Sequence, residues 1–190
     1  KALALKDGIT DFRSSDMSYY SEKLKKAQYD LDEEYYRPYF EQQSVLNGFF
    51  DFLHQMFNIK FTKAETPAWD EKVKVYDLSE NDKTMARIYI DLEARKDKRG
   101  GAWMNNWHSH YKTSDGEIKL PTAYIVGNFP QSTKDTASLL RHSDVVTLFH
   151  EMGHALHHLL SKVEEPFVSG ISGVAWDTVE FPSQFLEYFS

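Results

Sequence analysis

The stretch Leu148-Phe149-His150-Glu151-Met152-Gly153-His154-Ala155-Leu156-His157-His158-Leu159-Leu160 constrains this chain more than any other. Val145, Leu148, Met152, Leu156, Leu159 and Leu160 recur at three- and four-residue spacing, the period of a helix with one buried side. On such a helix His150 and His154 stand one turn apart on one face, with Cβ atoms about 5–6 Å apart. A zinc ion about 2.0–2.1 Å from each imidazole nitrogen spans that gap. Glu151 follows the first of the pair and projects beside the metal, where a carboxylate can take a proton from a zinc-held water. A polar helix edge could also carry four histidines, but these interrupt an apolar helix, where an unpartnered imidazole is costly. His154 and His158 make a second pair at the same spacing. Only His150 is followed at once by a glutamate, which selects His150 and His154. His157 and His158 are then expected at the surface or beside the ligands, because a catalytic zinc leaves one of its four positions to water.

The rest of the composition narrows the setting. The 190 residues hold 29 acidic against 22 basic side chains, a formal net charge of −7. The basic residues are dispersed, so nucleic acid is not expected as a partner. With no cysteine, disulfides are excluded and any metal must be held by nitrogen and oxygen, which fits a reducing, cytoplasmic setting. No run approaches the ~18 apolar residues of a membrane span. The chain opens on Lys1 and closes on Glu187-Tyr188-Phe189-Ser190 within an apolar, helix-like run, and the expectation is a piece of a larger protein. Aromatic residues make up 15%, more than a small core needs, so some are expected to face a peptide cleft or further polypeptide.

Along the chain, residues 1–13 show no periodicity and read as an irregular lead-in. Ser15 to Asp30 reads as an amphipathic helix with Asp16 as N-cap, and a second helix is expected from Gln42 to Phe57. Near residue 59 the period changes. Ile59–Phe61, Val73–Tyr76 and Ile88–Leu92 read as strands, with Glu80-Asn81-Asp82-Lys83 as the turn between the last two. Ser114-Asp115-Gly116 is a further turn and Ala123–Val126 a further strand. Ser143 is the expected N-cap of the histidine helix. The fold class is therefore α+β, mainly helical: a helical segment over 1–58, a small twisted sheet over 59–130 and metal-site helices over 142–190. An edge strand beside the metal could pair with an extended peptide. Ala102–Asn105 or Tyr124–Asn128 is expected to supply it, making Gly101, Ala102, Trp103 and Asn128 candidate substrate-binding residues.

Past the histidine helix, Ser169-Gly170-Ile171-Ser172-Gly173 reads as a flexible connection, and Trp176 to Glu187 as a second helix. Glu180 lies far enough beyond His154 for this helix to return to the metal. Set among Val179, Phe181, Phe185 and Leu186, its carboxylate needs a partner, and a two-histidine, one-glutamate site with water would result. Asp177 and Glu187 are candidates to hold the far ring nitrogens of the histidines.

The His150–His158 stretch, Ser169–Gly173 and Val179-Glu180-Phe181-Pro182-Ser183-Gln184 together resemble the thimet oligopeptidase family of zinc metallopeptidases. Tyr20–Lys23, Arg37–Phe40, Tyr89–Leu92, Lys98–Met104 and Asn128-Phe129 extend the likeness over nearly the whole chain. The resemblance implies a zincin-like core within a larger, mostly helical, two-lobed peptidase whose channel admits short unstructured peptides. It implies one zinc ion on His150, His154 and Glu180, with Glu151 as general base and acid, and a chain that acts as a monomer. Family members are several times longer, and the later segment that stabilises the oxyanion is missing here, so a chain of this extent is expected to be inactive alone. Two rivals remain: a dipeptidyl carboxypeptidase of the same family, and a non-catalytic zinc-stabilised peptide-binding module.

Overall fold

The computed structural model describes residues 1–29 and 33–190. It divides into two units, Lys1–Tyr36 and Arg37–Ser190. The first unit holds α1 (Ala2–Lys6), α2 (Met17–Tyr29) and α3 (Glu33–Tyr36). The lead-in is thus not irregular: Ala4 is buried in α1, and the Ile9 N–H bonds back to its carbonyl at 2.9 Å. Asp16 closes a short 3₁₀ turn before α2 by accepting the Arg13 N–H at 2.9 Å. The expected end of that helix at Asp30 lies outside the described residues.

After a short 3₁₀ helix over Arg37–Tyr39, the second unit continues with α4 (Gln42–Phe57). Glu41 caps it, its carboxylate accepting the Gln43 and Ser44 N–H groups at 3.0 and 2.6 Å. Asn58 ends it in the left-handed region, φ 55°, a conformation asparagine tolerates better than most residues. The buried Leu46, Phe49 and Leu53 are one stripe of this helix, and sequestering each is worth about 1.5–3 kcal/mol.

Seven strands follow: β1 (Ile59–Lys63), β2 (Lys74–Glu80), β3 (Lys83–Glu93), β4 (Trp103–His108), β5 (Tyr111–Lys112), β6 (Ile118–Lys119) and β7 (Thr122–Phe129). Five form one sheet in the order β1-β2-β3-β7-β4, and β5 and β6 form a separate pair. The β2–β3 turn is the expected one, with Glu80 opposite Lys83. Asn81 and Asp82 both take positive φ, 50° and 61°, which lets a two-residue turn follow the twist of the strands. β3 and β7 run parallel, and every other neighbouring pair in this sheet is antiparallel. β7 is therefore interior, and β4 and β1 are the two edges. Of the two expected edges, Tyr124–Asn128 is corrected, because both sides of β7 are paired; Trp103–Asn105 stands on β4.

Two further helices, α5 (His142–Leu159) and α6 (Phe181–Glu187), complete the unit. α5 packs on β7, β4 and β3, burying Val145, Leu148, Met152, Ala155, Leu156 and Leu159. Phe149 stacks on Phe49 of α4 with ring centroids 3.8 Å apart. The architecture is α+β, one mixed sheet with helices against it. Among the described residues no helix is long and apolar enough to cross a membrane.

Candidate metal centre

The helix carrying the histidines starts one residue before the expected cap. Ser143 is inside it, and the Arg141 N–H is met instead by the Asp144 carboxylate at 2.8 Å. From there the apolar stripe fixes the rotation of α5 on the sheet. His150 and His154 are left half-buried on the same side, and Glu151 is turned inward to 8% exposure.

Glu180 reaches the pair by a different local structure from the one expected. The helix spans Phe181–Glu187 only, with Pro182 in its first turn and Glu180 as the N-cap residue. Residues 176–180 are turns. Proline suits a first turn, where its missing N–H has no intrahelical partner to lose, and Glu180 is thereby placed at the tip rather than along a helix face. Its Oε2 lies 3.2 Å from His150 Nε2 and 3.1 Å from His154 Nε2. The buried Ser183 positions this carboxylate: its Oγ is 2.9 Å from both Glu180 Oε2 and the Glu180 carbonyl. Sequence reasoning passed over Ser183; a hydroxyl three residues after a glutamate at a helix start was the available signal.

The close approach of α6 to α5 depends on Gly153, inside the histidine motif. A Cβ there would lie 2.4 Å from Ser183 Cα and 2.5 Å from the Pro182 carbonyl oxygen, a separation backbone atoms cannot accept. With the helices this close, both ends of α6 meet His150. Glu180 faces its Nε2, and Glu187 Oε1 accepts from its Nδ1 at 2.5 Å. A proton on Nδ1 leaves the Nε2 lone pair free on the side of Glu180. Asp177, the other carboxylate considered for this role, is exposed and makes no hydrogen bond to His150 or His154.

The donor atoms of His150, His154 and Glu180 all lie within 4.8 Å of one another. Two ligands each about 2.1 Å from a tetrahedral zinc stand roughly 3.4 Å apart, so the separations from Glu180 fit one small ion with little movement. Burial pushes the His154 imidazolium below its usual range and His150 adds to this, while Glu180 opposes. That favours the neutral, ligating form. Burial likewise raises Glu151 above the ordinary carboxylate range and Glu180 reinforces it, against the pull of His150 and the Met104 N–H.

The other candidates divide. Trp103 is on the edge strand and Ala102 just precedes it. Asn128 holds that approach in place, its Nδ2 donating to the carbonyls of Gly101 at 2.7 Å and Arg99 at 2.8 Å. Its side chain is thus committed to the loop before β4. His157 is half-buried and lines an apolar cleft of about 670 Å³ with Leu156, Leu160, Phe181 and Phe185. His158 is fully buried, so of the two places expected for it, the surface or beside the ligands, the surface is ruled out.

Two imidazole nitrogens, one carboxylate and a buried glutamate beside them form a donor set of the kind used by metal-dependent hydrolases. The chain belongs to peptidase family M3, whose sequence model matches residues 1–190. It is 40% identical over 182 residues to oligopeptidase A of Salmonella typhimurium, covering 95% of this chain and 27% of that protein. Oligopeptidase A of Haemophilus influenzae is 41% identical over the same length and shares. Dipeptidyl carboxypeptidase of Escherichia coli is 37% identical over 178 residues, 92% of this chain and 26% of that protein. The chain thus spans about a quarter of the length of these relatives.

Proposed function

We infer that this chain carries the zinc centre of a metallopeptidase acting on short, unstructured peptides, with His150, His154 and Glu180 as ligands and Glu151 as general base and acid. The observation that carries the reading is the single Glu180 oxygen within 3.2 Å of both histidine Nε2 atoms. A zinc ion held by these three side chains would supply Lewis acidity at the site. Glu151, held above the ordinary carboxylate range by burial, takes the proton from the attacking water and returns it to the leaving amine. Glu187 holds His150 in the tautomer that presents Nε2, and Ser183 holds the Glu180 carboxylate. β4 offers its free edge to an extended substrate, which pairs as an added strand. The zincin-like core, a second lobe around the channel, a monomeric state and a cytoplasmic setting belong to the same reading.

Metal analysis of the purified chain tests the ligand set: one equivalent of zinc, lost in Glu180→Ala, is expected, and a Glu180→Ala chain that keeps its zinc removes Glu180 from the set. Endopeptidase and dipeptidyl carboxypeptidase action separate on a peptide with a blocked C-terminus. With the full-length parent, internal cleavage is expected, whereas release of C-terminal dipeptides only from the unblocked peptide assigns the second activity.

A further inference from the structure

His158 is a buried polar side chain that the proposed ligand set leaves without a task. It follows His154 by one turn of α5 and is 0% exposed. Its Nε2 lies 2.8 Å from the carbonyl oxygen of His108, the last residue of edge strand β4. Its Nδ1 faces the N–H of Ile171 at 3.4 Å. A carbonyl can only accept and an amide N–H can only donate, so these partners select one neutral tautomer, protonated on Nε2. The segment around Ile171 is moulded onto the ring: Gly170 has φ +64°, and a Cβ on it would lie 2.3 Å from His158 Nδ1. Ser169 beside it is fully buried and its Oγ is 3.1 Å from Ser161 Oγ. Within the connection over residues 169–173, expected to be flexible, Gly170 and Ile171 are packed against this histidine.

Three segments therefore meet on one imidazole. The first is the helix that carries His150, Glu151 and His154. The second is the strand whose Met104 N–H lies beside Glu151. The third is the connection that leads to Glu180. We propose that His158 is a positioning residue, which fixes the edge strand and the Glu180-bearing segment to the histidine helix through its two ring nitrogens. Apolar packing alone lets a strand end slide along a helix, whereas a hydrogen bond at each nitrogen sets one register. In its bearing on zinc the proposal rests on the reading above; in its bearing on the fold it does not.

The test compares His158→Leu with His158→Gln in the 190-residue chain. Glutamine keeps one donor and one acceptor at a similar reach, and leucine keeps only bulk. In the metal-free protein, amide exchange at Ile171 and at Trp103–His108 is expected to accelerate in the leucine variant and to stay near wild type in the glutamine variant. With cobalt(II) as the probe, the leucine variant is expected to bind about 10–100-fold more weakly, the usual cost of losing a group that orients a metal site, with fainter visible bands, and glutamine to restore most of the loss. A folded leucine variant with unchanged exchange and unchanged cobalt spectrum overturns the proposal. So does a glutamine variant that melts like wild type yet loses protection as fully as leucine. If leucine prevents folding, the glutamine variant decides alone: protection kept supports the role, protection lost overturns it. A wild-type chain that binds no cobalt sinks the ligand assignment instead, and the exchange pattern still judges His158.

Discussion

Asp91 and Glu151 are both buried carboxylates, 1% and 8% exposed, and they have opposite surroundings. Asp91 sits on β3 against a full set of donors. Arg95 gives it two hydrogen bonds at 2.6 and 2.7 Å, Lys98 one at 2.8 Å, and the Trp69 indole N–H one at 2.8 Å. Burial alone would raise its pKa, but these donors outweigh burial and hold the group below the usual carboxylate range. Glu151 has no cation paired with it among the described residues, and burial raises it. The first arrangement ties a loop to the sheet and leaves nothing for a substrate. The second keeps a proton acceptor in a partly dry place beside two imidazoles, which is how a site stores reactivity at some expense to the fold.

Substitutions can break this contrast. Replacing Glu151 with glutamine keeps shape and removes basicity. In the full-length parent, peptide turnover is expected to fall by about 10²–10⁴-fold with zinc content and melting temperature held, and turnover within tenfold of wild type would end the comparison. Asp91→Asn should do the reverse, leaving metal content alone while costing about 3–5 kcal/mol of stability in denaturant unfolding, because the buried Lys98 loses its counter-charge and Arg95 keeps only Asp70, at 3.4 Å. Gly153→Ala drives a methyl into Ser183 and Pro182, with an expected loss of about 1–3 kcal/mol. Unlike Asp91→Asn, it should also weaken zinc, since α6 carries Glu180 and Glu187; isothermal titration of the metal distinguishes the two. Ser183→Ala removes one hydroxyl from Glu180, an expected change of about 1 kcal/mol, read as a few-fold drop in metal affinity.

The smallest expected effect is one of pH. Because the folded-state pKa of Asp91 lies below its unfolded value of about 3.8, its contribution is complete above that value and fades as pH falls through it toward the folded pKa. Urea midpoints measured from about pH 6 down to about pH 3 should therefore drop more steeply for wild type than for Asp91→Asn. Parallel curves would show that Asp91 is not held as described.

The sequence was legible where a pattern is local. α4 spans the residues its periodicity predicts, since Glu41 and Asn58 mark its ends by their own chemistry. The β2–β3 turn was readable because asparagine and aspartate take positive φ with little strain. The histidine helix was readable in extent to within a residue or two. What escaped depends on contacts distant in sequence. β7 is interior only because β4 returns alongside it, and no alternation within either strand announces that pairing. The run from Trp176 to Glu187 has the apolar content of a helix, yet Pro182 and the approach of Gly153 delay its start to Phe181. Counting zinc ligands left His158 with no assigned partner, at the surface or beside the ligands, because its acceptor and donor partners lie 50 residues before it and 13 after.

Gly153 occupies one of the two positions that a His-Glu-x-x-His pattern leaves unspecified. In this protein that freedom is nominal, since a neighbouring helix rests its main chain where a side chain would begin. Anyone transplanting the five residues onto another scaffold would carry over the imidazoles but not the crossing that delivers their third companion. The portable unit is the motif together with its glycine and the short helix lying on it.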